Sequence, residues 1–120
     1  MRPHEQLDVW NKAMDLVVSI YQSTDAFPKE ERFGLTSQIR RAAVSVPANI
    51  AEGAARLSDK EFAHFLSNAQ GSASELETEL LIARRLGFLE DSAYKELRTS
   101  LDSIGRMMIG LVRHLKHRQL

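Results

Sequence analysis

The sequence feature that most limits the possible folds is the spacing of apolar residues in the second half of the chain. Between residues 94 and 115 they recur at steps of three and four without a break: Tyr94, Leu97, Leu101, Ile104, Met108, Leu111 and Leu115. An earlier stripe has the same spacing: Phe62, Leu66, Ala69, Ala73, Leu76, Leu80 and Ala83. Such spacing places apolar side chains on one face of an α-helix, and no segment alternates as a strand would. The sequence therefore predicts two long helices, each with an apolar face that needs a partner.

Two shorter helices are predicted before them. The first has the apolar residues Trp10, Ala13, Met14, Val17, Ile20 and Tyr21, and the second has Leu35, Ile39, Ala43, Val46, Ile50 and Gly53. Short connections between four amphipathic helices are typical of bundles. The chain is therefore expected to be all-α, an antiparallel up-down-up-down four-helix bundle that forms a single domain over residues 1–120. Its fourth helix is expected to begin near Asp91.

Signals for the third helix are unusually complete. Ser58 can cap its start, Glu61 can close a capping box, and Leu57 can pack on Phe62 as a hydrophobic staple. Gly87 is a natural stop. Gly71, inside the same helix, weakens it locally and is interpreted as the mark of a close helix crossing.

Pro47 lies near the middle of the second helix. Proline removes the hydrogen bond to the carbonyl group four residues back and crowds that carbonyl group, so the helix must break or kink. The apolar spacing runs through Pro47 from Ile39 to Gly53 without a change of phase. This continuity predicts a kinked, uninterrupted second helix.

The second helix also has small apolar residues on the side away from its core stripe. Projected at 100° per residue, they fall on the far face: Val44, Ala48, Ala51 and Ala55. A helix that is apolar on two faces can have two partners, and we take these residues as a candidate oligomer interface. The alternative is that alanines favour the helix and face water.

Composition excludes several functional classes. Sixteen basic and sixteen acidic residues cancel to a formal charge of zero, so the whole molecule is not expected to be attracted to polyanions. The absence of cysteine removes disulfides and thiolate chemistry. The first residues do not form the apolar run of a signal peptide, and no stretch approaches about 20 apolar residues. A cytoplasmic protein without membrane contact is expected.

Local charge is uneven. Residues 103–120 contain four lysines and arginines and no acid. Our candidates for phosphate contacts are Arg106, Arg113 and Lys116 on the fourth helix, with Arg40 and Arg41 on the second. The alternative is that cations at a helix C-terminus are solvated and favoured by the helix dipole. Aromatic residues interleaved with basic ones, as in a stacking platform for single strands, are not expected.

The chain offers no defensible catalytic constellation. Glu61 and His64 form a lone Glu-x-x-His motif, whereas a di-iron bundle needs two such motifs and further carboxylates. Glu75 and Glu79 lie one turn apart and are expected to be met by arginines of the second helix. We expect no catalytic residue, no metal and no cofactor, and hence no enzyme.

Three stretches resemble a known family. They are FGLTSQIRRAAVSVPANIAEG at residues 33–53, SDKEF at residues 58–62 and GSASELE at residues 71–77. They resemble the bacterial four-helix-bundle proteins often encoded in intervening sequences of 23S ribosomal RNA genes. The chain is also similar to the accessory variability proteins of diversity-generating retroelements. The resemblance implies a bundle that forms a ring-like homopentamer, and its accessory branch implies a basic surface that binds nucleic acid and a partner reverse transcriptase.

Residues and resemblance together predict a non-enzymatic, self-associating bundle that serves as an accessory or scaffold protein for RNA or DNA. The alternative is a protein-interaction module without nucleic-acid binding. The zero net charge departs from the accessory proteins, which are strongly basic.

Overall fold

Four helices make up the computed structural model, which describes residues 2–118. They are α1 Asp8–Thr24, α2 Leu35–Ala54, α3 Asp59–Arg85 and α4 Asp91–Arg118, and short 3-10 turns at Pro3–Gln6 and Lys29–Glu31 precede α1 and α2. Within the described residues α1 and α3 each contact both α2 and α4, whereas α2 and α4 do not contact each other. The bundle measures 49 × 22 × 22 Å. The predicted all-α class and up-down arrangement are confirmed.

The core follows the predicted stripes of α2, α3 and α4. Its fully buried large side chains are Ile20, Ile39, Val46, Ile50, Leu66, Leu76, Leu80, Ile104 and Met108. In α1 the buried face is Val9, Ala13, Leu16, Ile20 and Thr24. Met14 and Tyr21 are instead about 40% and 43% exposed, so they lie on the outer side of α1.

The turn between α2 and α3 confirms one predicted contact and contradicts another. The Ser58 hydroxyl accepts a hydrogen bond from the Glu61 N–H at 3.1 Å, as the capping signal predicted. The predicted staple is wrong, because Leu57 is fully exposed. Phe62 packs against Gly53 instead, and a Cβ atom on Gly53 would lie 2.9 Å from Phe62 Cδ1.

Glycine and proline have different roles in these helices. Gly87 adopts a φ of 80° just after α3, which confirms the predicted stop. The close crossing predicted at Gly71 is wrong, because no atom lies within 4 Å of a Cβ placed there; the crossing is at Gly53. The helix α2 runs through Pro47 without a break, as predicted. A bend at Pro47 stays a prediction.

Polar contacts fix how α2 lies against α3. The hydroxyls of Ser45 and Ser72 are 2.8 Å apart, and Asn49 donates to both the carbonyl oxygen and the hydroxyl of Ser45. Because both serines are only partly buried, these bonds lie at the edge of the core. Two turns further along α2, Gly53 lies against Phe62 and Phe65 of α3.

Candidate nucleic-acid interface

Three cations occupy the exposed side of α4. Arg106, Arg113 and Lys116 are all exposed, and no carboxylate of the described residues lies within 4.0 Å of them. The fourth cation of this segment, Arg118, is paired with Asp59 at 2.8 Å. At 1.5 Å per residue the three cations span about 15 Å along the helix. A row of unpaired cations of this length can contact more than one phosphate of a nucleic-acid backbone.

Arg40 and Arg41 lie on a different side of the molecule. Arg40 is half-buried: its Nε donates to Thr24 Oγ1 at 2.9 Å, and its guanidinium carbon lies 4.5 Å from the centre of the Tyr21 ring. It therefore joins α2 to α1. Arg41 is exposed and has no carboxylate within 4.0 Å in the described part of the chain. Since α2 and α4 are diagonal, the five candidate residues form two separate surfaces.

An arginine-rich pocket at the start of α2 was not foreseen. It has a volume of about 270 Å³ and is lined by Tyr21, Arg32, Phe33, Thr36, Ser37, Arg40 and Arg41. Phe33 is 89% exposed, and the Arg32 guanidinium carbon lies 5.4 Å from its ring centre. The sequence was not expected to interleave aromatic and basic residues as a stacking platform does, yet here Phe33 and Tyr21 lie beside arginines. The adjacent pair Arg32–Phe33, just before a helix start, was the available signal.

The second apolar face of α2 points outward. Val44, Ala48 and Ala55 are exposed and Ala51 is half-buried. The antiparallel helices α1 and α2 are in contact at Tyr21 and Arg40, and each has an exposed valine. Val18 is 55% and Val44 42% exposed. Exposed apolar side chains are therefore present on both α1 and α2.

The acidic pair of α3 has a different environment from the one predicted. Glu79 is only 6% exposed, and its Oε1 has no hydrogen-bond partner within residues 2–118. Burial, then the charge of Glu75 and a hydrogen bond to it, raise the pKa of Glu79 to about 7. The predicted ion pairs with arginines of α2 are wrong: in residues 2–118 no salt bridge joins either glutamate to Arg40 or Arg41. Arg40 is instead held by α1.

The described residues provide neither a metal-binding cluster nor a membrane-spanning helix. Glu61 lies at the α3 cap and His64 packs edge-on against Phe65; in residues 2–118 no three acidic or histidine side chains are grouped to hold a metal ion. No helix in this part of the chain combines the length and apolar character needed to cross a membrane.

Comparisons with known proteins agree with this architecture. Residues 5–110 match the family model described as 23S rRNA-intervening sequence protein. A solved structure from Bacteroides thetaiotaomicron VPI-5482, described as a protein with unknown function from the S23 ribosomal protein family, has a similar fold. Its TM-score is 0.78 at 24% identity, and the alignment covers 87% of this chain and 97% of that one. No match is found among curated proteins.

Proposed function

The chain belongs to the 23S rRNA-intervening sequence protein family, and from this premise we propose that it is a non-enzymatic accessory or scaffold protein that binds RNA or DNA. One observation carries the proposal: in residues 2–118, Arg106, Arg113 and Lys116 are exposed on α4 with no carboxylate within 4.0 Å. Some other arginines are paired with acids, as Arg98 is with Glu77 and Asp102. A chain with no net charge that keeps unpaired cations on one helix has a local surface suited to phosphate.

Removing two of these cations tests the proposal. The double variant Arg106→Gln/Arg113→Gln is expected to bind RNA or DNA more weakly at about 50 mM salt. The slope of log affinity against log salt should become smaller by about 1–2, since each lost phosphate contact contributes roughly 0.7–0.9. Fluorescence anisotropy over a salt series measures both quantities.

The matched control is Arg85→Gln/Lys95→Gln, which removes the same charge from exposed positions at the other end of the bundle. It should keep the wild-type slope. If wild-type protein does not bind at about 50 mM salt, or if both variants lose equal affinity, the α4 surface is not a nucleic-acid interface.

A second candidate function is protein interaction, favoured by the exposed apolar surface of α1 and α2. Met14, Val18 and Val44 are each at least 40% exposed there, and the small side chain of Ala48 allows close approach. We propose that a second copy of the chain packs on this surface and that the ring-like homopentamer of the family results. We propose the same surface as the binding site for a reverse transcriptase, which is the partner that the accessory branch implies.

Charge on the outer face of α2 should prevent self-association. We expect Ala48→Glu, and Ala51→Glu likewise, to shift the mass in light scattering toward the monomer, because a carboxylate would have to be buried without a partner. Ser67→Glu places the same charge on an exposed position of α3 and should leave the mass unchanged. An Ala48→Glu protein with the wild-type mass would show that this face is solvated.

A further inference from the structure

We propose that the pocket at the start of α2 binds one phosphate group of a single-stranded nucleic acid while Phe33 stacks on an adjacent base. The proposal rests on the proposed function and adds a second site to it, on the edge of the bundle opposite α4. The pocket is formed by α1, α2 and the segment between them, and Arg40 closes the contact between the two helices.

The charge of the pocket is entirely positive. Three arginines line it, Arg32, Arg40 and Arg41, and no acidic residue does. Of the acids around it, Glu31 accepts at Oε1 from the Leu35 N–H at 3.1 Å. Asp25 lines an adjoining pocket with Arg32 and Arg40, and Glu75 lines another with Arg41. Arg40 is already held in place by α1, so little side-chain freedom is lost when it meets an anion.

Unused hydrogen-bonding groups point to the same ligand. Thr36 is only 7% exposed and lines the pocket, yet its Oγ1 has no partner within the described residues. Buried hydroxyls are normally bonded, and the enclosed Oγ1 of Thr36 is an exception beside the three arginines. The N–H groups of Thr36 and Ser37 in the first turn of α2 have no backbone acceptor within residues 2–118 either. Helix N-termini with free N–H groups favour phosphate.

The aromatic residues indicate that the bound phosphate belongs to a single-stranded rather than a double-stranded nucleic acid. Phe33 is 89% exposed and Tyr21 43% exposed, although large aromatic side chains usually contribute their area to a core or an interface. A base in a duplex hides its faces, whereas an unpaired base can stack on an exposed ring beside a phosphate-binding arginine. The pocket is an open depression of about 270 Å³, so a strand can continue on both sides of the bound phosphate.

Binding of a fluorescent single strand of about 12 nucleotides, compared with its duplex, tests the site. Phe33→Ala should weaken binding of the single strand about tenfold and change binding of the duplex little, while Phe33→Trp should retain affinity. Thr36→Val keeps the shape and removes the orphan hydroxyl. It should lower affinity severalfold without lowering the melting temperature, a combination that a purely structural threonine would not give.

The variants distinguish the pocket at the start of α2 from the proposed α4 interface. If Phe33→Ala and Thr36→Val bind like wild type while Arg106→Gln/Arg113→Gln does not, the pocket is excluded and the α4 interface stands. If wild-type protein binds neither strand form at about 50 mM salt, both proposals fail. Equal loss of single-strand and duplex binding in Phe33→Ala would exclude stacking. A changed mass in light scattering with unchanged affinity would make Phe33 a self-association contact and would also overturn the inference.

Discussion

Replacing Glu79 by glutamine is expected to stabilise the bundle by about 3 kcal/mol at pH 8 and to leave its stability nearly unchanged at pH 4. The pKa of this buried carboxyl is raised from 4.5 to about 7 in the folded protein. The folded state therefore binds the proton more tightly than the unfolded chain does. The contribution of Glu79 to stability is therefore most favourable below about pH 4.5 and is lost as the pH rises through about 7. Glutamine is neutral at every pH and therefore does not carry this dependence.

Urea unfolding between pH 4 and pH 8 measures this effect. The wild-type free energy of unfolding should fall over this range more steeply than that of Glu79→Gln. Glu75→Gln is the matched control, because it removes an equal charge from an exposed position one turn away. Its effect should be smaller, since burial rather than Glu75 is the main cause of the raised pKa. Parallel pH profiles for wild type and Glu79→Gln would show that Glu79 is solvated when ionised.

Two glycine-to-alanine changes should act in opposite directions. Gly53→Ala is expected to destabilise the bundle by about 1–3 kcal/mol, because the new Cβ would lie 2.8 Å from Phe65 Cβ and 3.2 Å from the Phe62 carbonyl oxygen. These atoms belong to the backbone or its first carbon and cannot swing aside. Gly71→Ala is expected to stabilise by up to about 1 kcal/mol, because alanine favours the helix and no atom lies within 4 Å.

Thermal and urea unfolding of the two variants against wild type checks the pair. The same chemical change in two helices separates packing from helix propensity, which favours alanine at both positions. If Gly53→Ala were as stable as Gly71→Ala, α2 and α3 would have to be able to move apart at their crossing without cost.

The helices were predictable because their apolar spacing is long and regular. The apolar stripes of α3 and α4 are unbroken over at least six turns. Each of these helices therefore has a single apolar face that can be buried in the core. In α1 apolar residues lie on two adjacent faces, and Met14 and Tyr21 could not be told from Leu16 by spacing alone. Leu57 and Gly71 were assigned wrongly for a related reason: which residue fills the space at a crossing depends on the register of two helices.

The candidate site, like the helices, was predictable only in part. The separation of Arg40 and Arg41 from the α4 cations follows from the topology, since the second and fourth helices of an up-down bundle are diagonal. The pocket at Phe33 does not follow from the sequence pattern. It depends on the rotation of α1 that brings Tyr21 beside Arg40, and on the connection that places Arg32 and Phe33 over the first turn of α2.

The diagonal arrangement of α2 and α4 has a consequence for selectivity. An assembly built through the outer face of α2 would leave one α4 surface per copy directed away from the contact. Under the proposed function each surface, with three cations that have no acidic partner in residues 2–118, would bind weakly alone. Linked sites can raise apparent affinity by about 10²–10⁴ when one ligand reaches several of them. Such an assembly would retain long RNA and release short fragments, so that it selects by ligand length rather than by base sequence.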